Sequence, residues 1–147
     1  MTTVSVRRVV LGALLVAAPV LMAAPAAAEG FGQLDKVPVV ASPTCGGTVS
    51  AEAQLTPVQV GDRVESAVRV AINYDAGIYD GSCALTVTAD WTNLTTGASG
   101  TGDITAVSTI DGHYGFIGYA ATTFETGSGA VVVTLSSHPG QEINLSV

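Results

Sequence analysis

The sequence contains few of the side chains on which metal binding, redox chemistry and nucleic-acid binding depend. Its 147 residues include only two cysteines, two histidines, one tryptophan and five basic side chains. The cysteines lie too far apart for a zinc-ligand or C-x-x-C pattern, and no G-x-S-x-G segment marks a nucleophilic serine. From residue 29 onward, three basic side chains stand against twelve acidic ones, a net charge of −9. The missing motifs lead us to expect no metal and no cofactor. The acidic charge leads us to expect no nucleic-acid partner, because phosphate binding requires Lys and Arg.

The amino terminus carries the pattern of an export signal. Arg7 and Arg8 precede an uncharged apolar run over residues 9–23, and alanines at 26–28 follow it. Such a pattern predicts a signal peptide over residues 1–28. The run of about 15 residues is shorter than the roughly 20 that span a bilayer, although an uncleaved N-terminal anchor is the competing interpretation. We expect a secreted, extracellular or envelope-associated product without a membrane span after processing, and the lysine-poor, alanine-rich composition is typical of bacteria with high GC content.

Cys45 and Cys83 are predicted to form a disulfide. Export takes them to a compartment in which disulfides persist, and two cysteines allow only one pairing within the chain. A closed loop of about 39 residues would stabilise the fold by about 4 kcal/mol in the chain-entropy model. The alternative is a pair of separate buried thiols.

Apolar and polar side chains alternate along several segments, which is the pattern of half-buried strands. Residues 63–74 show it most clearly, and residues 49–55 and 83–91 repeat it. Cys83 and Trp91 share the apolar face of the last segment, so the disulfide is expected to point into the core. No segment after residue 28 has the periodicity of a helix.

Glycine, proline and aspartate divide the rest of the chain into short strands. We predict that Pro57 ends a strand, that residues 96–102 form a turn, and that the Asp-Gly pair at 111–112 forms a two-residue type I′ hairpin turn. Residues 113–126 are predicted to form one strand. Seven or eight strands without intervening helices favour an all-β protein, an antiparallel β-sandwich.

This architecture resembles the immunoglobulin-like Greek-key sandwiches. The resemblance implies one domain over residues 29–147, in which two sheets bury their alternating faces against each other. In that family the tryptophan follows the first cysteine of the disulfide, whereas Trp91 follows the second cysteine here. The resemblance therefore covers the architecture and not the family's function.

One acidic loop is the strongest candidate for a binding site. Asp75, Ile78, Tyr79 and Asp80 lie just before Cys83 in the sequence. The two carboxylates are of the kind that binds calcium, but they lack the EF-hand spacing, and no metal is expected. Ile78 and Tyr79 are predicted either to contact a partner, since loops on a rigid sandwich often carry binding, or to fold back and cap the sheet.

Tyr119 is a second candidate. It falls on the alternation face opposite to that of Tyr114 and Phe116, which are predicted to lie in the core. The sequence therefore predicts a surface aromatic side chain at this position.

These features favour an exported, non-catalytic module that binds through its surface, with an unknown protein or envelope component as its partner. Two alternatives are left open: a small secreted hydrolase whose fold assembles a site around His113 or His138, and a carrier of a small apolar ligand between the sheets. Both histidines lie beside turn residues, so we expect them to be solvated and not catalytic.

Overall fold

A computed structural model describes residues 30–113 and 115–146, and only the backbone of Phe116. The predicted signal peptide, residues 1–28, lies outside the described residues, as do Tyr114 and Val147. The described residues form nine strands, more than the seven or eight predicted: β1 Phe31–Pro38, β2 Thr48–Val60, β3 Arg63–Asp75, β4 Asp80–Asn93, β5 Ser99–Asp111, β6 Gly115–Ile117, β7 Tyr119–Phe124, β8 Val131–Leu135 and β9 Ile143–Leu145.

The strands form two antiparallel sheets, as predicted. The four-stranded sheet has the order β1-β2-β3-β7, and the five-stranded sheet has the order β6-β5-β4-β8-β9. Five of the pairs join consecutive strands, namely β1-β2, β2-β3, β4-β5, β5-β6 and β8-β9, whereas β3 pairs with β7 and β4 pairs with β8, which lie far apart in the sequence. The result is a β-sandwich-like arrangement in which both sheets contribute to one core.

The side chains of β3 alternate between the core and the outer face of the sheet. Val70, Ile72 and Tyr74 are at most 1% exposed and point between the sheets, whereas Asn73 on the opposite face is exposed. Burying a side chain such as Val70 stabilises the fold by about 1.5–3 kcal/mol. Ala71 is also buried although it belongs to the outer face, because its small side chain lies below the level of its neighbours.

The disulfide between Cys45 and Cys83 is present and confirms the predicted pairing. Cys45 lies in the loop between β1 and β2, and Cys83 lies in β4, so the bridge joins the two sheets at one end of the sandwich. Both cysteines are buried in the core. Beside the bridge, the hydroxyl of Tyr74 donates a hydrogen bond to the carbonyl of Gly46 at 2.9 Å, and burial raises the pKa of this tyrosine.

The turn predicted at residues 96–102 is too long, because its last residues, including Gly100 and Gly102, belong to a strand. The strand β5 already begins at Ser99, and Gly100 pairs with Trp91. A Cβ atom at Gly100 would lie 2.6 Å from the indole nitrogen of Trp91, and one at Gly102 would lie 2.7 Å from the ring of Phe124. These glycines are strand residues that leave room for two rings, not turn residues.

The prediction that Pro57 ends a strand is also wrong, because β2 continues to Val60. Strand β1 begins at Phe31, and the carbonyl of Gly30 just before it accepts the N–H of Leu55. Two residues further on, Pro57 occupies the position whose N–H would point away from β3, where β1 no longer runs alongside. A missing N–H costs no ladder hydrogen bond at such an edge.

The two-residue hairpin turn lies elsewhere than predicted. Asp111 pairs with Gly115, which leaves three residues between β5 and β6, and Gly115 has the positive φ of 77°. The carboxylate of Asp111 accepts the N–H of His113, which favours the longer turn. The two-residue turn is instead the Gly-Asp pair at 61–62, between β2 and β3.

The predicted single strand over residues 113–126 is two strands in different sheets. Strand β6 pairs with β5, and strand β7 pairs with β3. The chain changes sheets at Gly118, which is buried and whose carbonyl accepts the N–H of Tyr74 at 2.7 Å. Gly118 therefore marks the point at which the chain crosses between the two sheets.

Candidate functional site

Two isoleucines are exposed at the end of the sandwich that carries the disulfide. Ile78 lies in the loop between β3 and β4 and is 42% exposed, and Ile110 lies near the end of β5 and is 57% exposed. The N–H of Ile110 donates to the carbonyl of Tyr79 at 3.1 Å, so the two backbone segments are neighbours. We call Ile78 and Ile110 the exposed isoleucine pair.

A buried serine fixes the loop that carries Ile78. The hydroxyl of Ser108, which is 0% exposed, donates to the carbonyl of Ile78 at 2.8 Å and accepts the N–H of Ala76 at 3.3 Å. A hydrogen-bonded buried hydroxyl of this kind is costly to remove, because its backbone partners would be left unsatisfied. Ser108 was visible in the sequence only as a polar break in the apolar face of a strand.

The two carboxylates of the loop are engaged by their own neighbours. Asp75 accepts the hydroxyl of Tyr79 and the N–H of Gly77, both at 2.9 Å. Asp80 accepts the hydroxyl of Ser82 at 2.5 Å and its N–H at 2.9 Å. Within the described residues, no group of three or more His, Cys, Asp or Glu side chains is placed to hold a metal ion.

These hydrogen bonds change the proton affinity of both residues. The bond that Tyr79 donates to Asp75, then burial and the negative charge of Asp75, raise the pKa of Tyr79. The bonds from the Ser82 hydroxyl and N–H stabilise the charged carboxylate and lower the pKa of Asp80. The loop is therefore internally bonded, while Ile78 still faces solvent.

The structure brings the four predicted loop residues together and shows what each contributes. Ile78 is exposed, whereas Tyr79 is half-buried with its hydroxyl turned towards Asp75, and Asp80 lies exposed at the start of β4. Ile110 was not predicted as an exposed residue from the sequence. It lies on the face of β5 that points towards the core, but beyond Ser108, where the loop contacts β5 and the buried core ends.

His138 is buried, so the prediction that both histidines are solvated is wrong for this residue. It is 1% exposed, and its Nε2 lies 2.9 Å from the backbone carbonyl of Asp35. A carbonyl only accepts, so we assign the proton to Nε2, and Nδ1 then accepts the hydroxyl of Ser137 at 2.8 Å. This arrangement ties the loop after β8 to β1. Besides the Ser137 hydroxyl, the His138 ring bonds a peptide carbonyl and not the carboxylate that orients the histidine of a catalytic triad.

His113 lies in the turn between β5 and β6 and is exposed. Its backbone N–H donates to the carboxylate of Asp111 at 2.7 Å.

The outer face of the four-stranded sheet carries Tyr119. This residue is 41% exposed, pairs with Asn73 of β3, and has the guanidinium of Arg69 at 5.4 Å from its ring centroid. That distance is within the range of cation–π attraction. The predicted surface position of Tyr119 agrees with the structure.

A shallow depression lies on the same face. Its volume is about 280 Å³, and Ala71 forms part of its floor. The polar residues that line it come from three neighbouring strands: Gln33, Asp35, Lys36, Ser50, Glu52 and Asn73.

Comparisons with protein-family models, with curated proteins and with solved structures find no significant match to this chain. In the part of the chain that the structure describes, no helix is long and apolar enough to cross a bilayer.

Proposed function

We propose that the protein is an exported, non-catalytic β-sandwich that binds a protein or envelope component through the exposed isoleucine pair. The observation that carries the proposal is the combination of exposure and order at Ile78. Its side chain is 42% exposed, while the loop backbone around it is held by Ser108 and lies beside the buried disulfide.

A loop of this kind is suited to binding. Ordering a flexible loop on association costs free energy, and a loop that is already ordered avoids most of that cost. Binding residues also occur often on loops that a rigid scaffold positions. Exposed apolar side chains on such a loop gain from burial against a partner, and Ile78 and Ile110 are both available.

The strand order supports an immunoglobulin-like Greek key within this proposal. Strands β4, β5 and β6 follow one another as hairpins, and β8 returns to lie beside β4 after the chain has passed through β7 of the other sheet. Three consecutive strands with the fourth beside the first are the pattern of a Greek key. The long-range pairs β3 with β7 and β4 with β8 fit the same scheme.

Export is supported by two independent features. The leader pattern lies in residues 1–28, and the disulfide is consistent with an oxidising compartment, where such bonds form and persist. The absence of catalysis is supported by the environment of His138, both of whose ring nitrogens are engaged in a buried structural contact.

The proposal is tested by capture from an envelope extract of the producing cells. The processed protein is compared with the double variant Ile78→Asp/Ile110→Asp and with the control Val64→Asp. Val64 is 67% exposed and lies at the opposite end of β3, near the 61–62 turn. We expect a defined partner to be retained by the native protein and by the control, and lost by the double variant. Equal retention by all three proteins would contradict the proposal.

A further inference from the structure

The depression on the outer face of the four-stranded sheet is lined by polar side chains that lack partners within the protein. Among the described residues, none of the six forms a hydrogen bond or an ion pair through its side chain: Gln33, Asp35, Lys36, Ser50, Glu52 and Asn73. These donors and acceptors are consequently available to a ligand.

The outer face of the five-stranded sheet is different. There Thr86 bonds to Thr105 at 2.8 Å, and Thr88 donates to Asp103 at 2.7 Å, both across β4 and β5. Polar side chains on a plain sheet surface pair across strands in this way. On this sheet the cross-strand pairs occupy part of the outer face, whereas none of the six side chains around the depression on the four-stranded sheet is paired in this way.

Two aromatic side chains mark opposite corners of this face. Phe31 of β1 is 42% exposed and Tyr119 of β7 is 41% exposed. Phe31 is aligned with Thr123 of β7 through the register of the intervening strands. Tyr119 therefore lies three strands away from Phe31 and four residues further along β7, which places the two residues roughly 20 Å apart. The depression around Glu52 and Ala71 lies on the line between them.

The chemistry of this face indicates the class of ligand. Amides, a hydroxyl, two carboxylates and one ammonium supply donors and acceptors side by side, which suits hydroxyl groups, since each hydroxyl both donates and accepts. A polar lining disfavours an apolar ligand. The two carboxylates disfavour phosphate or another polyanion, which would require several basic side chains. The exposed rings of Phe31 and Tyr119 offer flat apolar surfaces to the C–H faces of a sugar ring, Tyr119 on the side that the Arg69 guanidinium does not cover.

We propose that this face binds a neutral, extended saccharide chain, with one sugar unit in the depression between Phe31 and Tyr119. The volume of about 280 Å³ is near the lower end of ligand pockets, roughly 300–1,000 Å³, and the distance between the rings favours an oligomer over a monosaccharide. The inference concerns a different surface from the exposed isoleucine pair and does not depend on the partner proposed above.

The test measures affinity by isothermal titration calorimetry for neutral linear gluco-, manno-, xylo-, galacto- and N-acetylglucosamine oligomers, from disaccharide to hexasaccharide. Oligogalacturonate and an oligolysine peptide serve as charged comparisons. We expect at least one neutral series to bind, with affinity rising with chain length. Glu52→Gln is expected to raise the dissociation constant about tenfold, roughly what one lost hydrogen bond to a charged group produces. Tyr119→Ala is expected to raise it about tenfold as well, because the sugar loses the contact with an aromatic ring.

Two controls separate this site from other surfaces. Thr105→Ala alters the opposite outer face, and the double variant Ile78→Asp/Ile110→Asp alters the loop; both are expected to keep the affinity of the native protein. The proposal is overturned if no neutral oligomer binds, if oligogalacturonate or oligolysine binds more tightly, or if Glu52→Gln and Tyr119→Ala leave the affinity unchanged. Because capture of a partner by the isoleucine pair is measured in a separate experiment that shares only the isoleucine double variant, either proposal can fail while the other stands.

Discussion

Replacing both bridge cysteines with alanine is expected to lower the free energy of unfolding by about 4 kcal/mol. Cys45 and Cys83 are 38 positions apart, and loop closure in a chain of that length contributes about this amount in the chain-entropy model. The loss is a large part of the roughly 5–15 kcal/mol that stabilises a typical domain. Alanine is chosen because both cysteines are buried, and serine would place an unpaired hydroxyl in the core.

Urea unfolding followed by the fluorescence of Trp91, the only tryptophan, measures this effect. Trp91 lies in β4 and packs against the core, so its emission reports on the folded sandwich. The midpoint should fall, and the slope with urea should rise, because the unfolded chain without the bridge is less compact. A loss below about 1 kcal/mol, with an unchanged slope, would refute the entropic reasoning.

Three further predictions concern single positions. Val70→Asp should unfold the domain in a thermal melt, since it buries an unpaired charge, whereas Arg69→Asp on the outer face should cost about 1 kcal/mol or less; equal effects would mean that the strand faces are assigned wrongly. Asn93→Ala should cost about 3 kcal/mol or more in urea unfolding, because this fully buried amide bonds two backbone carbonyls and two backbone N–H groups, and a loss under about 1 kcal/mol would contradict that role. In an NMR titration the pKa of Tyr79 should lie above its ordinary value of 10.0. Because folding raises this pKa, the contribution of Tyr79 to stability is complete below its pKa in the unfolded chain and is lost as the pH rises through its pKa in the folded protein. Asp75→Ala should return the pKa of Tyr79 towards 10.0, and an unchanged pKa would show that the hydrogen bond to Asp75 does not raise it.

Alternation within single strands could be predicted from the sequence because it is a local property. Residues 83–91 of β4 and the part of β3 from Val68 to Tyr74 follow the expected alternation, apart from the small buried Ala71, whereas Val64 near the start of β3 is exposed. The disulfide lies on the apolar face as predicted. A period of two residues fixes which side chains face the core, whatever the order of the strands.

The errors arose where distant segments decide the local conformation. Gly100 lies within a strand because the ring of Trp91 covers it, and the chain crosses between sheets at Gly118, next to Tyr74. His138 is buried because its ring reaches the backbone of Asp35, more than one hundred residues away. None of these three proximities is encoded in the residues beside these positions.

The candidate site shows the same division. Tyr119 was predicted to be exposed from its alternation face, whereas for Ile78 the sequence left exposure and capping of the sheet open; both side chains are exposed. The unpaired polar set around Glu52 was not predicted, because three strands must lie side by side before it exists. Ser108 was likewise an unexplained polar residue until its bonds to the loop were seen.

Residue-resolved amide hydrogen exchange tests most directly the central claim that an ordered loop presents the exposed isoleucines. The N–H of Ala76 donates to Ser108, and the N–H of Ile110 donates to the carbonyl of Tyr79. We expect both amides to be protected in the native protein, with protection at Ala76 lost and that at Ile110 kept in Ser108→Ala. Exchange of both amides at the rate of an unstructured peptide in the native protein would contradict the account.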